Sequence, residues 1–166
     1  MTSAAELMYR ALKDGGVNFA VYIPDSLLDG VERLLEADDT IQTVVCSRED
    51  EGIAMAMGAC LGGKVPVALM EGSGLGLSGL ILARGLLQRT PLLLIASHDR
   101  ALGVGFDYHG ATRLVGQATL EALGIPFVAL HAQDMIATVV AEALRTIKGQ
   151  RIPVGLIVPR HLMAQS

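Results

Sequence analysis

Six short apolar runs constrain this chain most: "VNFAVYI" (17–23), "IQTVVC" (41–46), "VPVALM" (65–70), "PLLLIAS" (91–97), "PFVAL" (126–130) and "VGLIV" (154–158). Most of them lack the polar alternation of a half-exposed strand, so as strands they must be covered on both faces. Helix-like segments lie between them, at 3–14, 26–37, 49–61, 77–88, 112–123 and 133–147. Strands alternating with helices predict an α/β fold, a doubly wound parallel six-stranded sheet with helices on both faces. No linker, repeat or low-complexity stretch divides the chain. Its 166 residues read as a single domain, 1–166, long enough to bury a core.

Composition narrows the function classes. Apolar residues make up 51% and charged residues 18%, a balance that points to a buried subunit interface as well as a core. The formal net charge of −4 gives no electrostatic reason to expect nucleic acid. The N-terminal "MTSAAELMYRALKDGG" reads as an amphipathic helix, unlike the charged-then-apolar build of a signal peptide. No apolar run reaches membrane-spanning length. Cys46 and Cys60 read as reduced, buried small residues, and their spacing fits no zinc pattern. The expectation is a cytoplasmic protein with no membrane, nucleic-acid or metal site of its own.

In doubly wound sheets ligands bind where strands lead into helices, at the carboxyl ends of the strands. Four such loops occur here: "PDSLL" (24–28), "SREDEG" (47–52), "EGSGLGLSG" (71–79) and "SHDRALGVGFDYHGATR" (97–113). In the second, Ser47 followed by Asp50 predicts an N-cap with its reciprocal acid. Glu49 differs from its two acidic neighbours, because at helical spacing it shares a stripe with Ile53, Ala56 and Cys60. That stripe puts Glu49 at the rim of the core. In the third loop, Gly74-Leu75-Gly76-Leu77-Ser78-Gly79 satisfies G-x-G-x-x-G, with Asp99 20 residues beyond Gly79, so a dinucleotide site is one reading. A tight turn that lets a helix pack closely is the other. The fourth loop holds His98, Asp99, Arg100, Asp107, Tyr108, His109 and Arg113, and is longer than a compact domain usually tolerates. Its His and Asp residues have no metal-ligand spacing, and His131 and His161 read as surface residues.

"REDEGIAMAMGACLGGK", "VPVALMEGSGLG", "TPLLLIASHDR" and "LEALGIPF" together resemble the pyrimidine-binding domain of thiamine diphosphate enzymes. More narrowly the chain is similar to the sulfopyruvate and phosphonopyruvate decarboxylases, with "IPDSLLDGV" matching that group's first-strand turn and "RIPVGLIVPR" the domain's last strand. The resemblance implies that Glu49 is the family's glutamate, which hydrogen-bonds a nitrogen of the cofactor's aminopyrimidine. That bond favours the imino form, which takes the thiazolium proton; the ylide left behind attacks a 2-keto acid, and the cofactor is the electron sink as carbon dioxide leaves. On this reading Asp50 caps, Glu51 is solvated and Glu49 carries the chemistry.

The resemblance also implies a cofactor surface of Pro24, Gly72, Ser73, Gly74, Leu75 and Gly76 beside Glu49. Asp25, Ser26 and His109 would meet the substrate, His109 as proton donor or carboxylate anchor. The chain departs from its relatives at Leu77 and Gly79, where they often carry Asn. It contains no "GDG", the motif that with a downstream Asn holds magnesium on the diphosphate in these enzymes. The resemblance therefore implies a partner: a diphosphate-binding beta subunit carrying GDG…N and holding Mg2+, as in two-subunit sulfopyruvate decarboxylases, where a chain of this kind is alpha. Self-association through the apolar helices 49–61 and 77–88 is expected as well. A small anionic 2-keto acid is the implied substrate, with Arg84, Arg89, Arg100 and Arg113 as candidates for its anion. Carboligation of aldehydes, a dinucleotide-binding module and a non-catalytic relative of the domain are the alternatives.

Overall fold

All six apolar runs are strands in the computed structural model, which describes residues 2–98 and 110–163. They are β1 (Phe19–Tyr22), β2 (Gln42–Val45), β3 (Pro66–Glu71), β4 (Leu92–His98), β5 (Phe127–Ala129) and β6 (Pro153–Pro159). Every pairing is parallel, in the order β2-β1-β3-β4-β6-β5. The helices are α1 (Ala4–Asp14), α2 (Asp29–Glu36), α3 (Glu49–Leu61), α4 (Ser73–Leu77), α5 (Gly79–Leu87), α6 (Gly110–Leu123), α7 (Ile136–Gln150) and α8 (Arg160–Met163).

Successive strand residues point to opposite faces, so the sheet feeds two cores. Val67 and Leu69 of β3 join one core, with Met8, Leu12, Leu35, Val140 and Leu144 from α1, α2 and α7. Ala68 and Met70 join the other, with Ile53, Leu75, Leu82 and Leu120 from α3, α4, α5 and α6. The six longer helices on the two faces are those the sequence pattern predicts; the short α4 and α8 are not among them. α1 starts at a true capping box, Ser3 with Glu6.

The strand order creates the crevice. β1 sends its chain through α2 outward to edge strand β2, whereas its neighbour β3 sends its chain through α4 and α5 the other way to β4. Connections that diverge from adjacent strands leave room between them at their carboxyl ends. α3 crosses back over β1 and β3, which brings its N-terminus to that room.

Three local expectations are corrected. The helix read as 26–37 begins at Asp29, because the Asp25 side chain accepts the Leu27 and Leu28 N–H groups at 2.8 and 3.1 Å and holds those residues in a turn. The glycine-rich turn before residue 77 is a helix, α4, separated from α5 by Ser78 alone. The long loop is shorter than read: Ser97 and His98 complete β4, and 110–113 open α6.

Candidate cofactor site at the β1–β3 crevice

Glu49 is the first residue of α3 and is half-buried, with Ile53 and Ala56 of its stripe fully buried beneath it. Among the described residues nothing donates a hydrogen bond to its carboxylate. Its neighbours differ. Arg48 grips Asp50 with two parallel bonds, Nε to Oδ1 and Nη2 to Oδ2, both 3.0 Å, and the Glu51 N–H adds a third at 3.0 Å. The guanidinium holds the Asp50 carboxyl below its ordinary range. Glu51 is exposed. The predicted cap is corrected here: the N-cap is Arg48, in extended conformation without a side-chain bond, and Ser47 lies exposed outside the helix. Asp50 is turned instead toward Arg48, which holds both its oxygens.

The glycines of "GSGLG" are placed by what surrounds them. A methyl group at Gly74 would lie 2.8 Å from Glu49 Cδ, so the bare backbone of α4 is the surface on which the Glu49 side chain rests. At Gly72 it would lie 2.7 Å from both the Ser97 carbonyl oxygen and Thr112 Cγ2, and at Gly76 2.7 Å from Val115 Cβ. The G-x-G-x-x-G match is thus a packing device, with Gly74 and Gly76 facing the chain's own side chains. Glu71, at the end of β3, fixes the same corner: one carboxylate oxygen accepts from the Ser73 hydroxyl and N–H, the other from the Thr112 hydroxyl of α6.

Across the crevice, Pro24, Asp25 and Ser26 border a hollow of about 360 Å³ with Asp29, Glu32 and Arg33. The Asp25 N–H donates to Glu32 Oε1 at 3.2 Å, and the Ser97 hydroxyl donates to Asp25 Oδ2 at 2.9 Å. Glu32 is buried, and that burial, reinforced by nearby Asp25, Asp29 and Glu36, pushes its carboxyl up to about 8. Tyr22, at the end of β1, donates to Glu36 and is pushed above its ordinary range, mainly by burial.

Sequence reasoning thus names residues on both walls: Glu49, Gly72, Ser73, Gly74, Leu75 and Gly76 on one, Pro24, Asp25 and Ser26 on the other. His109, Asp99 and Arg100 lie outside the described residues. Of the remaining arginines, Arg84 lines a cavity of about 290 Å³ beside Arg48, Asp50 and Glu51, together with Leu77, Leu80 and Ile81. Arg113, on the first turn of α6, and Arg89, at the end of α5, are both exposed. Missed from sequence were Ser97, Glu71, Thr112 and Glu32. Ser97 and Thr112 find partners 72 and 41 residues away, which no local pattern announces, and Glu32 and Glu71 reach nearer ones across turns that no capping or motif rule covers.

The comparisons agree with this geometry. The sequence profile of "Thiamine pyrophosphate enzyme, N-terminal TPP binding domain" matches residues 2–121. The chain is 35% identical to sulfopyruvate decarboxylase subunit alpha of Methanothermobacter thermautotrophicus, over 87% of this chain and 91% of that one. It is 34% identical to the protein of the same name from Methanococcus maripaludis, over 93% of each. In fold it is similar to 2-oxoglutarate:ferredoxin oxidoreductase from Magnetococcus marinus, with a TM-score of 0.76 at 16% identity, covering 97% of this chain and 29% of that one. A parallel sheet opening at β1 and β3, a glutamate on a glycine surface and this sequence match lead to one statement: the chain belongs to the thiamine pyrophosphate enzymes, as their N-terminal, TPP-binding domain.

Proposed function

We propose that this chain is the alpha, pyrimidine-binding subunit of a thiamine diphosphate-dependent 2-keto acid decarboxylase, with sulfopyruvate as its substrate. The observation that carries the reading is the Glu49 carboxylate, half-buried, seated on Gly74 and without a hydrogen-bond partner among the described residues. Asp25, Asp50 and Glu71 spend both oxygens inside the chain and Glu32 spends one; Glu49 keeps its own for a ligand. The names of the relatives supply the substrate and the word alpha.

The residues fit the cofactor. A flat heteroaromatic ring needs an acid at its edge with backbone close beside it, and Glu49, lying directly on the α4 backbone at Gly74, brings the two together. Thiamine diphosphate bound there supplies an electron sink for the loss of carbon dioxide. Glu49 exchanges a proton with a nitrogen of the pyrimidine ring from its carboxyl oxygen. Pro24 and Ser73 complete the ring's surroundings with the backbone of Leu75, whose side chain is in the core, and loop 24–26, with Asp25 and Ser26, faces the small anionic 2-keto acid. His109 is the proton donor or carboxylate anchor of this proposal. The beta partner, with GDG…N, would hold Mg2+ and the diphosphate; the working enzyme is then a cytoplasmic heteromer in which this chain also self-associates.

The test is reconstitution. The purified chain with thiamine diphosphate and Mg2+ should leave sulfopyruvate intact, and adding the diphosphate-binding subunit should start carbon dioxide release. Robust turnover by the chain alone would overturn the two-subunit reading. A complex that binds the cofactor but decarboxylates only other 2-keto acids would overturn the substrate.

A further inference from the structure

We propose that Ser97, at the carboxyl end of β4, is a positioning residue that holds the substrate loop 24–28 in register with the cofactor segment 72–76. What those segments do rests on the proposed function; the contacts do not. Ser97 is buried, at 2% exposure, and engages both its oxygens on the side of β4 where β3 and then β1 lie. Its carbonyl accepts the Gly72 N–H at 2.9 Å, and its hydroxyl donates to Asp25 Oδ2 at 2.9 Å. Asp25 hands the constraint on, because its other oxygen accepts from the backbone N–H groups of Leu27 and Leu28, at 2.8 and 3.1 Å. One serine thus joins two walls that belong to different strands, β1 and β3.

The arrangement also redefines Asp25. Its carboxylate has one oxygen on Ser97 and the other on two amides, while its N–H is taken by Glu32. A carboxylate aimed at a doubly anionic substrate would repel it. One consumed in bracing the loop presents the loop's edge instead, with Ser26 beside it. Misplacing that edge by an ångström is costly, because rate depends steeply on the approach geometry of the reacting groups.

Ser97→Ala removes only the hydroxyl arm, since the bond to Gly72 is made by the backbone. In the full chain, amide hydrogen exchange at Leu27 and Leu28 should quicken about 10-fold, the loss expected for one hydrogen bond to a charged group. Exchange at Gly72 should change less than twofold. In the assembled complex, kcat/KM for sulfopyruvate should fall about 10-fold while thiamine diphosphate affinity stays within twofold, and Ser97→Thr should restore it. The double variant with Asp25→Asn should be no worse than Asp25→Asn alone, because the hydroxyl acts through that carboxylate. Unchanged exchange at Leu27 and Leu28, or additive losses in the double variant, would overturn the assignment. Should the wild-type complex fail to decarboxylate, the proposed function falls, and the exchange measurement still decides on Ser97.

Discussion

Glu49, Asp50 and Glu51 differ in how their carboxylates are placed: one without a hydrogen-bond partner among the described residues, one in an arginine fork, and one exposed. Glu49→Gln keeps shape and hydrogen bonding but removes the exchangeable proton. In the reconstituted complex it should slow hydrogen–deuterium exchange at the cofactor's thiazolium carbon at least about 100-fold, the low end of acid–base contributions. Asp50→Asn and Glu51→Gln should cost little, and an equal loss in Glu51→Gln would mean that the wrong acid has been chosen. Glu32 makes a different prediction. Its carboxyl is pushed up to about 8 in the fold, against about 4.3 in an unfolded chain. Between those values the folded chain holds a proton that the unfolded chain has lost, so stability falls as pH rises from about 4.3 to 8 and then levels. Glu32→Gln retains an acceptor for the Asp25 N–H without that liability. Its urea midpoint should therefore exceed the wild type's by a margin that grows from pH 5 to pH 9; parallel curves would refute the argument.

At the scale of elements, α4 and α6 meet so closely that glycines two positions apart should respond unequally to one substitution. Gly72→Ala drives a methyl group into the Ser97 carbonyl and Thr112, neither of which can move without shifting β4 or α6, and should cost about 2 kcal/mol in urea denaturation. The nearest atoms to a methyl group at Gly74 are all of Glu49: its Cγ and Cδ can swing away, whereas its Cβ, 2.9 Å off, is fixed on α3 and must give slightly with the helix. Gly74→Ala should therefore cost less, about 1 kcal/mol, and lower reconstituted activity as well. The same crossing shows where sequence reading stops. Strands and long helices were legible because burial writes a period into the residues, and Glu49 stood out because its stripe is otherwise apolar. α4 was not legible, since "GSGLG" carries three of the poorest helix formers. Its glycines are there because Glu49 and Val115 leave no room for a side chain at 74 and 76, so packing against α3 and α6 overrides propensity. The Arg48–Asp50 fork was missed for a related reason: the capping rule looks for Ser and ignores a competing guanidinium.

On the scale of the whole molecule, the two faces of the sheet are finished unequally. α1, α2 and α7 bury their apolar sides against one core. On the other face, Leu80 is 69% exposed and Leu87 86%, with Met55, Leu77 and Leu114 also open to solvent. That is where the sequence places self-association, and Leu80→Lys tests it. The substitution should shift the isolated chain toward monomer in light scattering yet leave the unfolding free energy within about 0.5 kcal/mol at a dilution where the wild type is monomeric too, since an exposed leucine contributes little to the fold of one chain. A wild-type chain that is already strictly monomeric, even with its partner present, would remove the premise. The open leucines carry a cellular consequence too. A copy of this chain with that face uncovered displays the kind of greasy surface that chaperones and proteases patrol. Its abundance should follow the supply of whatever covers that face, a dependence written into the outside of α5.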